Sequence, residues 1–450
     1  MKSMLLIKAK HIITQDKKRR IIKNGAILVK EDKIFDIGYA TQVERKYKSE
    51  IGKTIEGENL VAMPGLINTH THVAMTLLRG YADDMPLEKW WLEKVFPFEA
   101  KLTGEDIYWG TLLGEIEMIK SGTTCFADFY FFADKIAQAV SELGMRANIG
   151  IPVLDFKTPE FKTPDEALEA VPRLVAGGVP PRARGGTTPA ESKTDNLIQF
   201  SIAPHMAQTT SLKTYKKCKQ TADKYKLLLQ THLAETKREV EYSIKDYRGT
   251  PVEVLVKNQI LDKNSIVAHA CHLTDTDIKL LAKNKVNISH CPVSNMKLAS
   301  GIMPLNKLQK AGINIALGTD GACSNNNLDM FEEMKTAALL HKVSNSDPTI
   351  ANAQTILDMA TINGAKALGI EKQIGSLEKS KKADIIIIDF NKPHLTPCYN
   401  PISHLVYSVS GSDVDSAIIN GKIVMEKRKI LAINEVKVLK NINTRFQNAK

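Results

Sequence analysis

The feature that most constrains this chain is an alternation along its middle, where strand-sized apolar runs are separated by stretches with helical spacing. Eight runs can be marked, near Leu60–His72, Thr123–Phe129, Ala147–Asp155, Ile198–His205, Leu227–Glu235, Ser265–Ala270, Val286–Pro292 and Ile313–Gly321. Between them Glu105–Lys120, Leu212–Tyr225, Pro251–Gln259 and Asp275–Lys285 carry apolar residues at intervals of three and four, the period of a helix with one buried face. Strand, crossover helix and strand in succession build a parallel sheet. Eight repeats of that unit predict an α/β fold with a closed (β/α)8 barrel, an open doubly wound sheet being the alternative.

The two ends have a different texture. Leu5–Ala9, Gly25–Lys30 and Lys33–Gly38 read as short strands, followed by a polar helical or loop stretch from Thr41 to Ser49. After residue 382 the same texture returns in Ala383–Asp389 and Asp415–Met425. The organisation implied is a β-rich segment 1–59, a barrel over 60–382 and a second β-rich segment 383–450. One stretch is out of character: Val171–Ser192 holds four prolines and four glycines where a crossover helix should lie, which predicts a loop.

With 450 residues, 43% hydrophobic and 25% charged, the chain can bury a large core without disulfides. Its six cysteines are scattered with no CxxC pair, which fits neither a disulfide framework nor a cysteine zinc site and points to a reducing cytoplasm. No apolar run reaches the length of a bilayer span, and the opening MKSMLLIKAKHIIT has too short an apolar core for a secretory signal, so neither membrane nor leader is expected. The net charge of +11 invites a nucleic-acid reading. The lysines, however, are spread over the whole chain with only short clusters at 16–20 and 379–382, the pattern of a solvated surface.

Polar residues suited to metal or proton chemistry recur at the C-terminal ends of the runs. His70 and His72 end the first, His205 the fourth, His232 and Glu235 the fifth, His269 the sixth, His290 the seventh and Asp320 the eighth. In a parallel barrel these ends share one rim, where barrel enzymes keep their active sites. His70 and His72, two apart on a strand, point to the same side and can meet one cation at about 2.0–2.1 Å. His232 offers a third nitrogen and Asp320 an oxygen, a set that leaves a divalent ion room for a water whose pKa it lowers to about 7. Glu235, three residues past His232, is placed to carry protons rather than to bind the ion. His269 has three readings, as a further ligand, a core histidine or a group that holds the water, and the last is preferred. His272 and His290 are read equally as structural or functional, His290 near the pocket mouth. No lysine ends the third or fourth run to bridge two ions, so one is expected.

These residues stand in PGLINTHTHVAMTLLRG, THLAET, AHACHLTDTDI, SHCPVSNMKLASG and LGTDGACSNNNLDMFEEMK, joined near the end by ADIIIIDF. Together the blocks resemble the metal-dependent amidohydrolases over nearly the whole chain, and more narrowly the 5-methylthioadenosine/S-adenosylhomocysteine deaminases. The resemblance implies a distorted barrel with a small composite β-sandwich from both termini, and one zinc ion per subunit held by His70, His72, His232 and Asp320. Other first-row divalent ions suit the same donors. It further implies that Glu235 protonates the purine N1 while hydroxide attacks C6, that His269 orients the hydroxide, and that Asp320 takes the water's proton and passes it on. Glu99 matches the family's ribose-contacting carboxylate and His205 survives from its fourth-strand block, so both are carried over as substrate contacts. Two vicinal hydroxyls can donate to one ionised carboxylate, which favours a nucleoside over a free base.

Two departures lie on the substrate side. His205 is followed by Met206-Ala207-Gln208 instead of the family's usual neighbours, and Ile151 stands where some members carry arginine. The partner implied is a small nucleoside, with neither nucleic acid nor membrane, and the sequence is compatible with a homo-oligomer without specifying one. Two other functions are weighed. One is hydrolysis of a different amino-, amide- or halo-substituted heteroaromatic ring, such as guanine, cytosine or a triazine. The other is a basic nucleic-acid-binding scaffold, which lacks the H-x-E and P-C-x-x-C signature of polynucleotide deaminases.

Overall fold

The computed structural model describes residues 4–85, 89–177 and 197–446. One sheet begins with β1 (Met4–Ile13), β2 (Ile21–Lys30), β3 (Lys33–Tyr39), β4 (Ile51–Glu56) and β5 (Leu60–Pro64). A second follows with β6 (Leu66–Thr71), β7 (Thr123–Phe129), β8 (Arg146–Val153), β9 (Ile198–Pro204), β10 (Leu228–Leu233), β11 (Ser265–His269), β12 (Asn287–His290) and β13 (Ile315–Leu317). The chain then returns to the first sheet with β14 (Ile385–Asp389), β15 (Val414–Ile419), β16 (Lys422–Glu426) and β17 (Lys429–Ile430).

Strands from both ends of the chain thus share one nine-stranded mixed sheet. β1 is its hub, antiparallel to β2 and parallel to β4 along its first half and to β5 at His11 and Ile12. Alternate residues of β1 are buried on opposite faces: Leu5 and Ile7 pack with Ile27, Ile34 and Ile385, while Met4 and Leu6 pack with Leu28 and Val43. A strand covered on both faces reads as a continuous apolar run, which is how MLLI appears.

The second sheet is the barrel the sequence predicts. Its eight strands lie in the order β6 to β13, each beside its neighbour in sequence, so there is no point of reversal as in a doubly wound sheet. The two outermost strands meet: Thr69 Oγ1 donates to the Leu317 carbonyl at 2.9 Å, and the Asp320 amide donates to the His70 carbonyl at 2.9 Å. Several helices of the crossovers have a threonine or serine cap that fixes where they start. Ser211, Thr236, Thr250 and Thr274 each accept from the amide three residues on.

Two local expectations change and a third is resolved. The run Leu60–His72 is two strands, since β5 pairs antiparallel with β14 and the chain breaks at Pro64-Gly65 before β6 joins the barrel. A Cβ at Gly65 would stand 2.0 Å from Thr124 Oγ1, so only glycine lets the chain pass there. The stretch expected to be helix or loop after Thr41 is a helix, Ala40–Tyr47, that buries Val43. The loop predicted from Val171 is corrected at its start, because the helix Pro164–Val175 continues through Pro172. Thr163 caps that helix, and burial of Ala167, Val171 and Leu174 along one face outweighs the one backbone bond a proline removes. Residues 178–192 of that stretch lie outside the described residues.

The chain divides into two compact units, Met1–Asn68 with Ile116–Cys125 and Asp329–Asn434, and Thr69–Glu115 with Phe126–Leu328 and Glu435–Lys450. Among the described residues no helix is long and apolar enough to cross a membrane.

Candidate active site

The polar residues marked at the strand ends all fall in the second compact unit. The backbone turns sharply where it delivers them: Ala234, His269, Ala270 and Asp320 adopt left-handed φ of 49°, 72°, 54° and 62°. Such a conformation costs a non-glycine residue about 1–2 kcal/mol, and strain of this kind gathers where side chains must be aimed.

Four donors converge at the base. His72 Nε2 stands 3.2 Å from Asp320 Oδ1 and 3.4 Å from His232 Nε2, and His70 Nε2 lies 3.6 Å from the same Asp320 oxygen. The ligand atoms of His70, His72 and Asp320 lie within 4.8 Å of one another, as do those of His70, His232 and His269. Tautomers follow from the outer partners. His72 Nδ1 donates to the Phe129 carbonyl at 2.6 Å and His232 Nδ1 to the His205 carbonyl at 3.0 Å, and a carbonyl can only accept. Nδ1 therefore carries a proton in both rings, and both turn Nε2 inward.

Burial and the charge of His72 push His70 well below the usual histidine range, and burial and the neighbouring imidazoles do the same to His232. Burial opposes a proton on His72 too, but the Asp320 carboxylate outweighs it and raises His72 to about 9. The cluster by itself thus favours a proton on His72, facing the Asp320 carboxylate. Four ligands at about 2.0–2.1 Å in a tetrahedron stand roughly 3.4 Å apart, close to the spacings found here, so the donor set fits a divalent ion in place of that proton.

Asp320 is fixed from outside. Its Oδ2 accepts from Ser294 Oγ at 2.6 Å and Ser324 Oγ at 2.9 Å, and its Oδ1 from the Gly321 amide at 2.8 Å. Glu235 is buried, with Oε2 3.8 Å from His269 Nε2 and Oε1 accepting from Ser300 Oγ at 2.9 Å. His269 Nδ1 faces Asn295 Oδ1 at 2.9 Å. His272, left open by the sequence, donates Nε2–H to the Ser300 carbonyl at 2.6 Å and so holds the segment that carries Ser300. His290 is fully buried and does not line the cavity, contrary to its expected place near the pocket mouth.

Above this base lies a cavity of about 600 Å³, within the usual range for a small-molecule site. Glu99 ends a short helical turn, Phe96–Glu99, and is 6% exposed. Tyr130 Oη donates to its Oε1 at 2.7 Å, yet burial prevails and raises the carboxyl to about 7. His205 lies just past β9 with Nδ1 2.7 Å from Thr209 Oγ1, and the Trp91 ring stacks over it at 6.1 Å and 22°. Sequence reasoning missed Ser294, Asn295, Ser300, Ser324 and Tyr130. Four of these sit inside motifs singled out for their neighbours, and Tyr130 directly follows the second strand, so the strand-end rule itself would have found it.

The amidohydrolase family model matches residues 61–424. The chain belongs to the amidohydrolase family. It shares that family's metal dependence. A 5-methylthioadenosine/S-adenosylhomocysteine deaminase of Pelotomaculum thermopropionicum is 43% identical over 435 residues, covering 97% of this chain and 96% of its own. A 5′-deoxyadenosine deaminase of Methanosarcina acetivorans is 43% identical over 440 residues, covering 98% and 97%. Among solved structures, an adenosine deaminase from Xanthomonas campestris with bound zinc superposes with a TM-score of 0.91 at 33% identity, covering 98% of this chain and 97% of that one.

Proposed function

We propose that this amidohydrolase is a hydrolytic deaminase of adenosine-type nucleosides, converting 5′-methylthioadenosine, S-adenosylhomocysteine or both to the inosyl product and ammonia. The observation that carries this reading is that one cavity is lined both by His72, His232 and Asp320, which cluster with His70 beneath them, and by the buried carboxylate of Glu99. The relatives named above, alike over nearly their whole length, support the same substrate class.

The four donors hold the ion, which we take to be zinc from the three-imidazole, one-carboxylate set. When bound, it acts as a Lewis acid and brings deprotonation of water close to neutral pH. Asp320 takes a proton from the attacking water and passes it to the departing amino group. Glu235 gives a proton to the purine N1 as oxygen adds at C6 and recovers one from the new hydroxyl, so that ammonia leaves and the ring keeps N1–H and a C6 carbonyl. His269, oriented by Asn295, holds the nucleophilic oxygen in line. Glu99 accepts from the two ribose hydroxyls and His205 borders the nucleoside. The six free cysteines agree with a reducing, cytoplasmic setting.

The test is ammonia release from adenosine, 5′-deoxyadenosine, 5′-methylthioadenosine and S-adenosylhomocysteine by metal-loaded protein. Turnover of at least one, lowered about 100- to 10,000-fold but still measurable in Glu235→Gln, is expected. No turnover of any of the four would overturn the proposal.

A further inference from the structure

Four barrel helices begin with the same pattern, a threonine cap followed three residues later by a carboxylate. The exposed Glu166, after Thr163, reaches over its cap to the Lys162 amide alone, and the buried Glu239, after Thr236, takes two amides beyond its cap. At Thr250 and Glu253, and again at Thr274 and Asp277, the carboxylate reaches back to the amide of the capping threonine, closing the reciprocal box this pattern favours. At Thr236 and Glu239 the threonine does its part, its Oγ1 accepting from the Glu239 amide at 3.1 Å. The Glu239 carboxylate instead reaches past the cap. Its Oε2 accepts from the Glu235 amide at 2.8 Å and its Oε1 from the Ala234 amide at 3.0 Å.

We propose that Glu239 is a positioning residue for proton transfer, clamping the left-handed turn at Ala234 so that the Glu235 side chain points at the substrate. The inference rests on the reading of Glu235 as the proton carrier. Glu239 is 1% exposed, and among the described residues no cation pairs with it. Burial raises its carboxyl to about 7 even against the two amides that favour its charge. A buried carboxylate without a counter-cation is a costly way to end a helix when the ordinary box was open to it. What it secures is the peptide on either side of Ala234, whose φ of 49° few alanines adopt unaided. The other end of Glu235 is held separately by Ser300. Only a carboxylate can accept from two converging amides, because an amide side chain would turn an N–H toward one of them.

The deciding experiment is Glu239→Gln, made alone and together with Glu235→Gln. Alone it should lower kcat about 10- to 100-fold, the scale of a reacting group displaced by about an ångström, while KM and metal content change less than about twofold. In the Glu235→Gln background it should cost less than about twofold more, since the residue it positions no longer transfers a proton. Hydrogen exchange at the Ala234 and Glu235 amides should accelerate, a readout independent of any substrate. If Glu239→Gln does not fold, Glu239→Asp, which keeps both oxygens one methylene short, should lower kcat with the same sparing of KM. A wild-type kcat in Glu239→Gln, an equal loss in both backgrounds, or unchanged exchange at the two amides overturns the proposal. Should the wild-type chain turn over no nucleoside, the deaminase reading falls by itself and the exchange measurement still decides whether Glu239 clamps the turn.

Discussion

At the base of the cavity each reactive side chain is held by a directional partner, whereas along the wall rings pack against rings. His72 and His232 are turned by the carbonyls of Phe129 and His205, Asp320 by two serine hydroxyls, and Glu235 by Ser300. On the wall, Trp91 stacks over His205, Phe96 meets Phe156 edge-on at 5.4 Å, and Glu99 accepts from Tyr130 Oη. Hydrogen bonds fix angle as well as distance, while aromatic contacts tolerate small shifts at little cost. Under the proposed function the base would do the chemistry and the wall would choose the substrate, and substitutions at the two ends should fail in different ways.

The largest effect is expected from His70→Ala, which should lose the metal and lower kcat by at least about a thousandfold, as the loss of several kcal/mol of charge stabilisation requires. Metal analysis beside kinetics checks it, and an active, metal-free variant would end the argument for the base. Next, Ser300→Ala should lower kcat by roughly tenfold with little change in KM, the scale of one hydrogen bond to a charged group. If KM alone rose, Ser300 would belong with the wall.

Glu99→Gln should act the other way, raising KM by about tenfold or more with a smaller effect on kcat, because one charge-assisted contact to the ribose is lost. A pH profile sharpens this. Burial places the Glu99 carboxyl at about 7, and the ionised form, the one able to accept both hydroxyls, grows as pH rises. KM for a nucleoside should therefore fall between pH 6 and 8, and Glu99→Gln should flatten that dependence. The smallest effect is expected from Phe156→Ala, a change of a few-fold in KM that differs between 5′-deoxyadenosine and S-adenosylhomocysteine. An identical change for both would remove Phe156 from substrate choice.

What could be read in the sequence follows the same division. The barrel was legible because a strand and its crossover helix each leave a local periodicity, and the strand-end histidines were legible because a parallel barrel sends every such end to one rim. The break at Gly65 was not, since a run of apolar residues looks alike whether it serves one sheet or two, and the reason for the break, contact with Thr124, lies about sixty residues away. Pro172 misled for the opposite reason: a strong local signal was overridden by burial of one helix face. Ser300, Asn295 and Glu239 matter through partners 65, 26 and four or five residues distant, and their residue types carry no signal until those partners are in place.

The most direct test of the account is a titration of metal-free protein with zinc while ammonia release from 5′-methylthioadenosine is followed. Activity should climb in proportion to added metal and level off at one equivalent per chain. Full activity without metal, or a break at two equivalents, would contradict a site built from His70, His72, His232 and Asp320 around a single ion.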